Sequence, residues 1–177
     1  MRDSIFKVLT NKKIAKNTYE MTMAGDVSDV TAPGQFVNIK LDGFYLRRPI
    51  SVCDAQDGKL TLIYKVVGKG TEKMAKTAAG EEWLVLTGLG NGYVTERSGD
   101  KPLLIGGGAG VPPMYMLCKK LIAEGKTPTV VLGFNTADEV FYVDEFEALG
   151  AKVIVATADG SVGIKGFVTD AIDKIDD

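Results

Sequence analysis

The stretch Lys101–Pro113, KPLLIGGGAGVPP, constrains the fold of this chain more than any other. Its apolar run Leu103-Leu104-Ile105 is short, with Pro102 before it and glycine after, which suits a strand buried on both faces. Gly106, Gly107, Gly108 and Gly110 then let the backbone turn sharply and approach a ligand closely. Pro112 and Pro113 fit the first turn of a following helix, where a missing N–H costs nothing. Strand, glycine turn and helix N-terminus together present backbone N–H groups and a positive dipole end to a phosphate. The spacing Gly108-Ala-Gly110-Val-Pro-Pro113 is a G-x-G-x-x-P, not the G-x-G-x-x-G of the ordinary dinucleotide fingerprint.

The chain reads differently on either side of this stretch. Before it, Ile5–Leu9, Thr18–Met23, Gln35–Leu41, Arg48–Cys53, Leu60–Val67 and Glu82–Leu86 are strand-like segments divided by turn signals such as Pro33-Gly34 and Asp57-Gly58. Six short strands so spaced predict a small antiparallel barrel. One helix interrupts them, with Thr71 as its N-cap, Glu72–Ala79 as its body and Gly80 as its stop. After the stretch, Met114, Leu117, Cys118, Leu121 and Ile122 fall at helical spacing, up to a stop at Gly125. Strand Thr129–Phe134, helix Asp138–Leu149, strand Lys152–Thr157 and a helix over Gly166–Ile175 follow. That alternation builds a parallel, doubly wound sheet. The predicted class is an all-β six-stranded antiparallel barrel followed by an α/β half-Rossmann domain, with residues 1–99 in the first and 100–177 in the second.

Composition removes several functions. A net charge of −2 offers no field that would recruit nucleic acid or anionic lipid. No apolar run reaches membrane-spanning length, and the opening MRDSIFKVLTNKK has charges where a signal peptide has its apolar core, so the expected place is the cytoplasm. The chain has no histidine, which excludes Ser-His-Asp and Cys-His catalysis and the commonest zinc and haem ligands. Two cysteines, Cys53 and Cys118, cannot supply the four thiolates of an iron–sulfur cluster, and both read as packing residues. No metal site is expected.

Four more motifs accompany the glycine turn: Leu46-Arg47-Arg48-Pro49-Ile50-Ser51, then Ile63-Tyr64-Lys65 leading to Gly68-Lys69-Gly70-Thr71, then Gly88–Tyr93 (GLGNGY), then Thr157–Gly166 (TADGSVGIKG). Taken singly, the first reads as an arginine pair on an edge strand, the second as a plain strand–turn–helix and the third as a flexible linker. Taken together, they resemble the ferredoxin-reductase-like flavoproteins over essentially the whole chain. Within these, the chain is most similar to the FAD-binding electron-transfer subunits of the two-subunit, NAD-dependent dihydroorotate dehydrogenases of pyrimidine biosynthesis.

The resemblance implies a cofactor site for each domain. Arg48, Pro49, Ile50 and Ser51 would hold FAD, with Arg48 on its pyrophosphate and the Ser51 hydroxyl, the one catalytic candidate, near the reactive edge of the flavin ring. A guanidinium makes bidentate contacts to phosphate, and a hydroxyl can donate or accept as the redox state changes. Ile63, Tyr64 and Lys65 would flank the adenosine or ribityl part, while Gly70 and Thr71 meet the pyrophosphate at a helix N-terminus. Gly108, Gly110 and Pro113 would receive NAD(P)H, with the Asp159–Gly166 loop toward the same side. Strand Thr129–Phe134 runs into Asn135-Thr136 with no acid until Asp138, and the four arginines, Arg2, Arg47, Arg48 and Arg97, all fall in residues 1–99. That favours NADH over NADPH, with Lys126, Lys152 and Lys165 keeping the phosphate form open.

The chain also departs from the family. Gly88 stands where the family has proline, which loosens the joint between domains. A further Rossmann strand, a Cys-Gly-Pro segment and the C-terminal cysteines that bind [2Fe–2S] have no counterpart, so the chain reads as C-terminally truncated. It ends VTDAIDKIDD, placing Asp173, Asp176 and Asp177 at a helix C-terminus, the wrong sign for its dipole. Without the next strand, Leu103–Ile105 becomes a sheet edge, which predicts self-association. The implied function is electron transfer between NADH and FAD, then through the iron–sulfur centre to an FMN-containing catalytic subunit, with the exit missing here. Two alternatives need no cluster: a stand-alone NAD(P)H-flavin or ferredoxin reductase-like enzyme, and a non-catalytic flavin-binding module.

Overall fold

Period-two alternation carries the first part of the chain into six strands: β1 (Arg2–Ala15), β2 (Thr18–Ala24), β3 (Phe36–Ile39), β4 (Arg48–Gln56), β5 (Lys59–Lys65) and β6 (Glu82–Leu89). In the computed structural model, which describes residues 1–172, 174 and 175, they close into a barrel in the order β1-β2-β5-β4-β3-β6. Asp173, Asp176 and Asp177, expected at a helix C-terminus, lie outside the described residues. Phe6, Val8, Met21, Met23, Val37, Ile39, Leu60, Leu62 and Val85 are buried, and their alternation with exposed neighbours fixes the register, since a one-residue slip would turn each set to solvent. The chain divides into two units, Met1–Tyr93 and Val94–Asp177.

Helix α1 (Lys69–Ala75) lies between β5 and β6 and corrects the sequence reading. It begins three residues before the expected Glu72, with Gly68 as N-cap, so Thr71 is inside the first turn. From there the Thr71 hydroxyl accepts the N–H groups of Val67 (2.9 Å) and Gly68 (3.2 Å) and donates to the Gly68 carbonyl (3.0 Å). A threonine at the third position reaches back to N–H groups at and before the N-cap, the reciprocal half of a capping box, so the residue type is right and its place is not. The helix also stops at Ala75, well before Ala79.

The second unit forms a parallel sheet in the order β10-β9-β8-β7, from β7 (Leu103–Gly107), β8 (Thr129–Phe134), β9 (Lys152–Thr157) and β10 (Ile164–Lys165). Helix α2 (Pro112–Ala123) has both prolines in its first turn. It ends in a Schellman closure: Gly125 N–H reaches Ile122 O (2.9 Å) and Lys126 N–H reaches Leu121 O (3.0 Å). The long helix expected over Asp138–Leu149 is broken. A 3-10 turn at Ala137–Glu139 precedes helix α3 (Val143–Ala148), and Tyr142 between them is left-handed (φ 67°). Burial of aromatics overrides helix periodicity here. Phe141 packs edge-on against Phe134 (5.3 Å), and Tyr142 against Tyr115 (5.2 Å), which requires the chain to turn inward between them. The final helix, α4 (Val168–Ile172), begins two residues later than expected, with Gly166 at φ 128° and the Phe167 N–H donating to Asp170 Oδ2 (2.7 Å), and the short strand β10 before it was not expected. Two residues are too few to show a strand period.

Strand β7 stands at the edge of this sheet among the described residues, with Leu104 buried and Leu103 and Ile105 about two-fifths exposed (42% and 40%). No helix among the described residues is long and apolar enough to cross a membrane.

Candidate functional site

In the first unit the site is made by two strands that part. The β4–β5 ladder runs from Gln56↔Lys59 to Val52↔Leu62 and stops there, with a register shift at Cys53. Beyond that point Arg48–Ser51 pairs only outward with β3 (Ile39↔Arg48 to Phe36↔Ser51), and Ile63–Lys65 only outward with β2 (Glu20↔Ile63 to Thr18↔Lys65). A bulge bends its strand and raises the local twist, which accounts for a split beginning at Cys53. The facing segments are those the sequence reading singled out, Arg48-Pro49-Ile50-Ser51 and Ile63-Tyr64-Lys65. Pro49 has no N–H to contribute to a ladder, which suits a strand with an open side.

Arg48 and the start of α1 meet at this opening. Gly70 is buried, and a Cβ built on it would lie 2.0 Å from Arg48 Nε and 2.8 Å from its Cζ, so the guanidinium rests where a side chain would otherwise be. Arg48 Nη1 donates to Leu46 O (2.6 Å), and Cζ lies 4.9 Å from the centre of the Phe44 ring. Lys69, Gly70 and Thr71 supply N–H groups ahead of the first intrahelical bond, Glu72 N–H to Gly68 O (2.9 Å). A fixed positive charge and first-turn N–H donors on one side of an open slot fit the diphosphate of a flavin dinucleotide. Ser51 is half-buried, and its hydroxyl has no hydrogen-bond partner among the described residues.

Not every expected residue offers its side chain. Ile63 and Tyr64 are buried, so this stretch faces the slot with backbone. The Tyr64 ring stacks on Tyr19 (5.9 Å between centres), and burial pushes its phenol well above the usual range. Arg47 turns away from Arg48 to form a two-pronged pair with Asp3 (2.6 and 3.0 Å), whose hydrogen bonds hold the Asp3 carboxyl below its ordinary value. Phe44 and Asn11 were missed by sequence reasoning. Phe44 sits in an irregular loop with no periodic signal, and Asn11 is one polar residue on a long strand.

Each end of the connecting segment is bonded to its own unit. In the first, Gln35 Nε2 donates to Gly90 O (3.1 Å) and Tyr93 N–H reaches Pro33 O (2.8 Å). In the second, Lys126 Nζ donates to Thr95 O (2.6 Å) and Ser98 Oγ (2.8 Å), and the Thr95 hydroxyl donates to Glu124 Oε1 (2.8 Å). The Thr95 hydroxyl, together with Lys126, holds Glu124 below the ordinary carboxylate range. Arg97, counted with the first domain in the sequence reading, lies in the second unit within the turn Thr95–Arg97.

In the second unit the candidate site lies at the C-terminal ends of the parallel strands, where open α/β sheets bind ligands. A Cβ on Gly106 would meet Gly110 O at 2.8 Å and Val111 Cα at 3.0 Å, so the turn folds back over its own strand. Gly108 has φ +50°, and a Cβ on Gly110 would point into open space. Pro113 is at the second helical position, half-buried. The loops after β8 and β9 are joined: Ala137 N–H donates to Ser161 Oγ (2.8 Å), which in turn donates to Asp159 Oδ1 (2.6 Å). Those Ser161 bonds hold the Asp159 carboxyl below its ordinary value. Of the three lysines considered for a phosphate, Lys126 and Lys152 stand at the N-terminal ends of β8 and β9, away from this mouth. Lys165, packed over Gly160, is the one beside it.

Among the described residues no group of three or more His, Cys, Asp or Glu side chains could hold a metal ion. Cys53 and Cys118 are both buried, and burial pushes the Cys118 thiol up to about 11.

No family model matches the chain. Curated relatives do. A Bacillus mycoides (strain KBAB4) protein named "Dihydroorotate dehydrogenase B (NAD(+)), electron transfer subunit" is 48% identical over 175 residues, covering 94% of this chain and 67% of the relative. A Fusobacterium nucleatum protein of the same name is 47% identical over 173 residues, covering 93% and 66%. The chain thus spans about two thirds of the length of these relatives. Among solved structures, an NADH-dependent reduced ferredoxin-NADP oxidoreductase studied for flavin-based electron bifurcation is 37% identical with a TM-score of 0.86, covering 96% of this chain and 62% of that one. A Neisseria gonorrhoeae ferredoxin NADP+ reductase with bound FAD and NADP shares the fold at 17% identity, with a TM-score of 0.84 over 98% of this chain and 77% of its own.

Proposed function

The chain belongs to the family of the dihydroorotate dehydrogenase B (NAD(+)) electron transfer subunits, and we propose that it serves electron transfer between NADH and FAD for dihydroorotate dehydrogenation in pyrimidine biosynthesis. The observation that carries this reading is the meeting of Arg48 with Gly70 and the first turn of α1, beside the split between β4 and β5. FAD would supply the exchange between a two-electron donor and one-electron acceptors. Arg48 would neutralise its diphosphate, and the N–H groups of Gly70 and Thr71 would bind the same oxygens. Arg48–Ser51 and Ile63–Lys65 would line the slot, with the Ser51 hydroxyl free to donate or accept at the flavin ring. In the second unit Gly108, Gly110 and Pro113 would form the nucleotide turn.

NADH is the favoured nucleotide because, of the cations considered for a 2′-phosphate in this unit, Lys165 alone stands beside the strand C-termini. Arg97, Lys126 and Lys152 all belong to the end of the sheet remote from the strand C-termini. The domains we assign, residues 1–99 for FAD and 100–177 for NAD, follow the switch from barrel to βα alternation. The proposed partner is the FMN-containing catalytic subunit, with an iron–sulfur centre of the family between the two flavins. Self-association is supported by the exposed apolar residues of β7. A second reading, a ferredoxin-NADP-type reductase, is favoured by the likeness to the ferredoxin-NADP oxidoreductase and would use the same two sites.

The visible spectrum of the purified protein, before and after anaerobic NADH, tests the proposal. A flavin spectrum bleached by NADH is expected. A flavin spectrum that resists NADH would leave a flavin-binding module, and a colourless protein that takes up no FAD would overturn the reading.

A further inference from the structure

We propose that Asn11, on β1, is a positioning residue for the diphosphate end of the flavin site: it grips the C-terminal end of α1 and the residue just past it, and so sets where the first turn stands against Arg48. The proposal rests on the FAD reading above. Helix α1 has seven residues, too few to hold a shape by itself in water. Its buried Met74 anchors it by packing, which is non-directional, and Lys73 Nζ ties it to Asp42 O (2.7 Å) on the exposed side. Direction comes from Asn11. Its Nδ2 donates to Met74 O (2.9 Å), in the last turn of the helix, which also accepts the Thr77 N–H (3.1 Å), and to Thr77 O (3.1 Å), just past the helix end.

The orientation of that amide is itself dictated. Asn11 Oδ1 accepts the Tyr64 hydroxyl (2.9 Å), so both donors and the acceptor of the side chain are engaged. Turning the amide over would set its oxygen against two carbonyl oxygens. Tyr64 is 4% exposed, its ring stacked on Tyr19, so the hydroxyl reaching Asn11 is held by the barrel core. The order of support therefore runs from the Tyr19–Tyr64 pair to Asn11, to the C-terminal end of α1, and along the helix to Gly70 beneath the Arg48 guanidinium. Tyr64 and Gly70, both assigned to FAD contact from the sequence, are in this account two ends of one support.

Asn11→Ala and Tyr64→Phe test this in the full chain, with FAD and riboflavin titrated separately by flavin fluorescence quenching. Riboflavin has the ring and no diphosphate, so a displaced α1 should weaken FAD and spare riboflavin. The expected result is an FAD-to-riboflavin affinity ratio reduced about tenfold in Asn11→Ala and by a smaller factor in Tyr64→Phe, which keeps both donors of Asn11. A ratio unchanged in both variants, whether the two affinities fall together or stay put, would overturn the proposal and leave Asn11 with a structural role alone. Should Asn11→Ala not fold, the ratio in Tyr64→Phe decides. A wild-type protein that binds neither flavin would instead count against the FAD reading itself.

Discussion

Both units bring a glycine against a neighbour that leaves no room for a side chain, and the neighbours differ in kind. At Gly70 the crowding atoms are the guanidinium of Arg48, the end of a flexible side chain. At Gly106 they are backbone, the carbonyl of Gly110 and Cα of Val111. In the barrel, glycine makes space for a ligand-binding group. In the sheet, it makes space for the chain itself. The surroundings follow the same division, since the barrel shares its strands' backbone groups through a closed ladder that parts at the β4–β5 split. The sheet presents a row of strand C-termini and an edge at β7.

The comparison is sharpest under substitution. Gly70→Val should expel the Arg48 guanidinium while the fold persists, because a long side chain can swing aside. Losing hydrogen bonds to a charged group costs about 1.5–3 kcal/mol, or roughly 10- to 100-fold in FAD affinity, read by titration, with little change in the thermal midpoint. Gly106→Ala should do the reverse. Its neighbours cannot move without the turn, and overpacking of this kind costs about 1–3 kcal/mol of stability. Calorimetry should show the second unit melting earlier, and FAD affinity should stay as it was. If Gly70→Val unfolds the barrel with no specific loss of FAD, or Gly106→Ala leaves stability untouched, the distinction between the two glycines fails.

The sequence made the architecture legible where a pattern is local. Strand-like segments set off by turn signals placed all six barrel strands, and the glycine–proline turn placed β7 and the start of α2, because each signal lies within a few residues of its effect. Thr71 shows the limit of such signals: a hydroxyl can cap a helix start from outside it or from its third position, serving different N–H groups in each case. The break at Tyr142 was hidden because its ring packs on Tyr115, a residue beyond the helical pattern. The site residues were named by resemblance, but the split between β4 and β5 that makes them a site depends on where a ladder ends. Asn11 was beyond reach for a related reason, since its partners Tyr64, Met74 and Thr77 are 53, 63 and 66 residues away.

The most direct test of the account is the FAD affinity of Arg48→Ala, measured against the wild-type chain. The fold sets the guanidinium beside both the first turn of α1 and the parted strands. Removing it should lower FAD affinity by about 10- to 100-fold, the worth of hydrogen bonds to a charged group. Undiminished FAD binding by Arg48→Ala would mean that the flavin, if it binds, does so elsewhere, and would contradict the site described above.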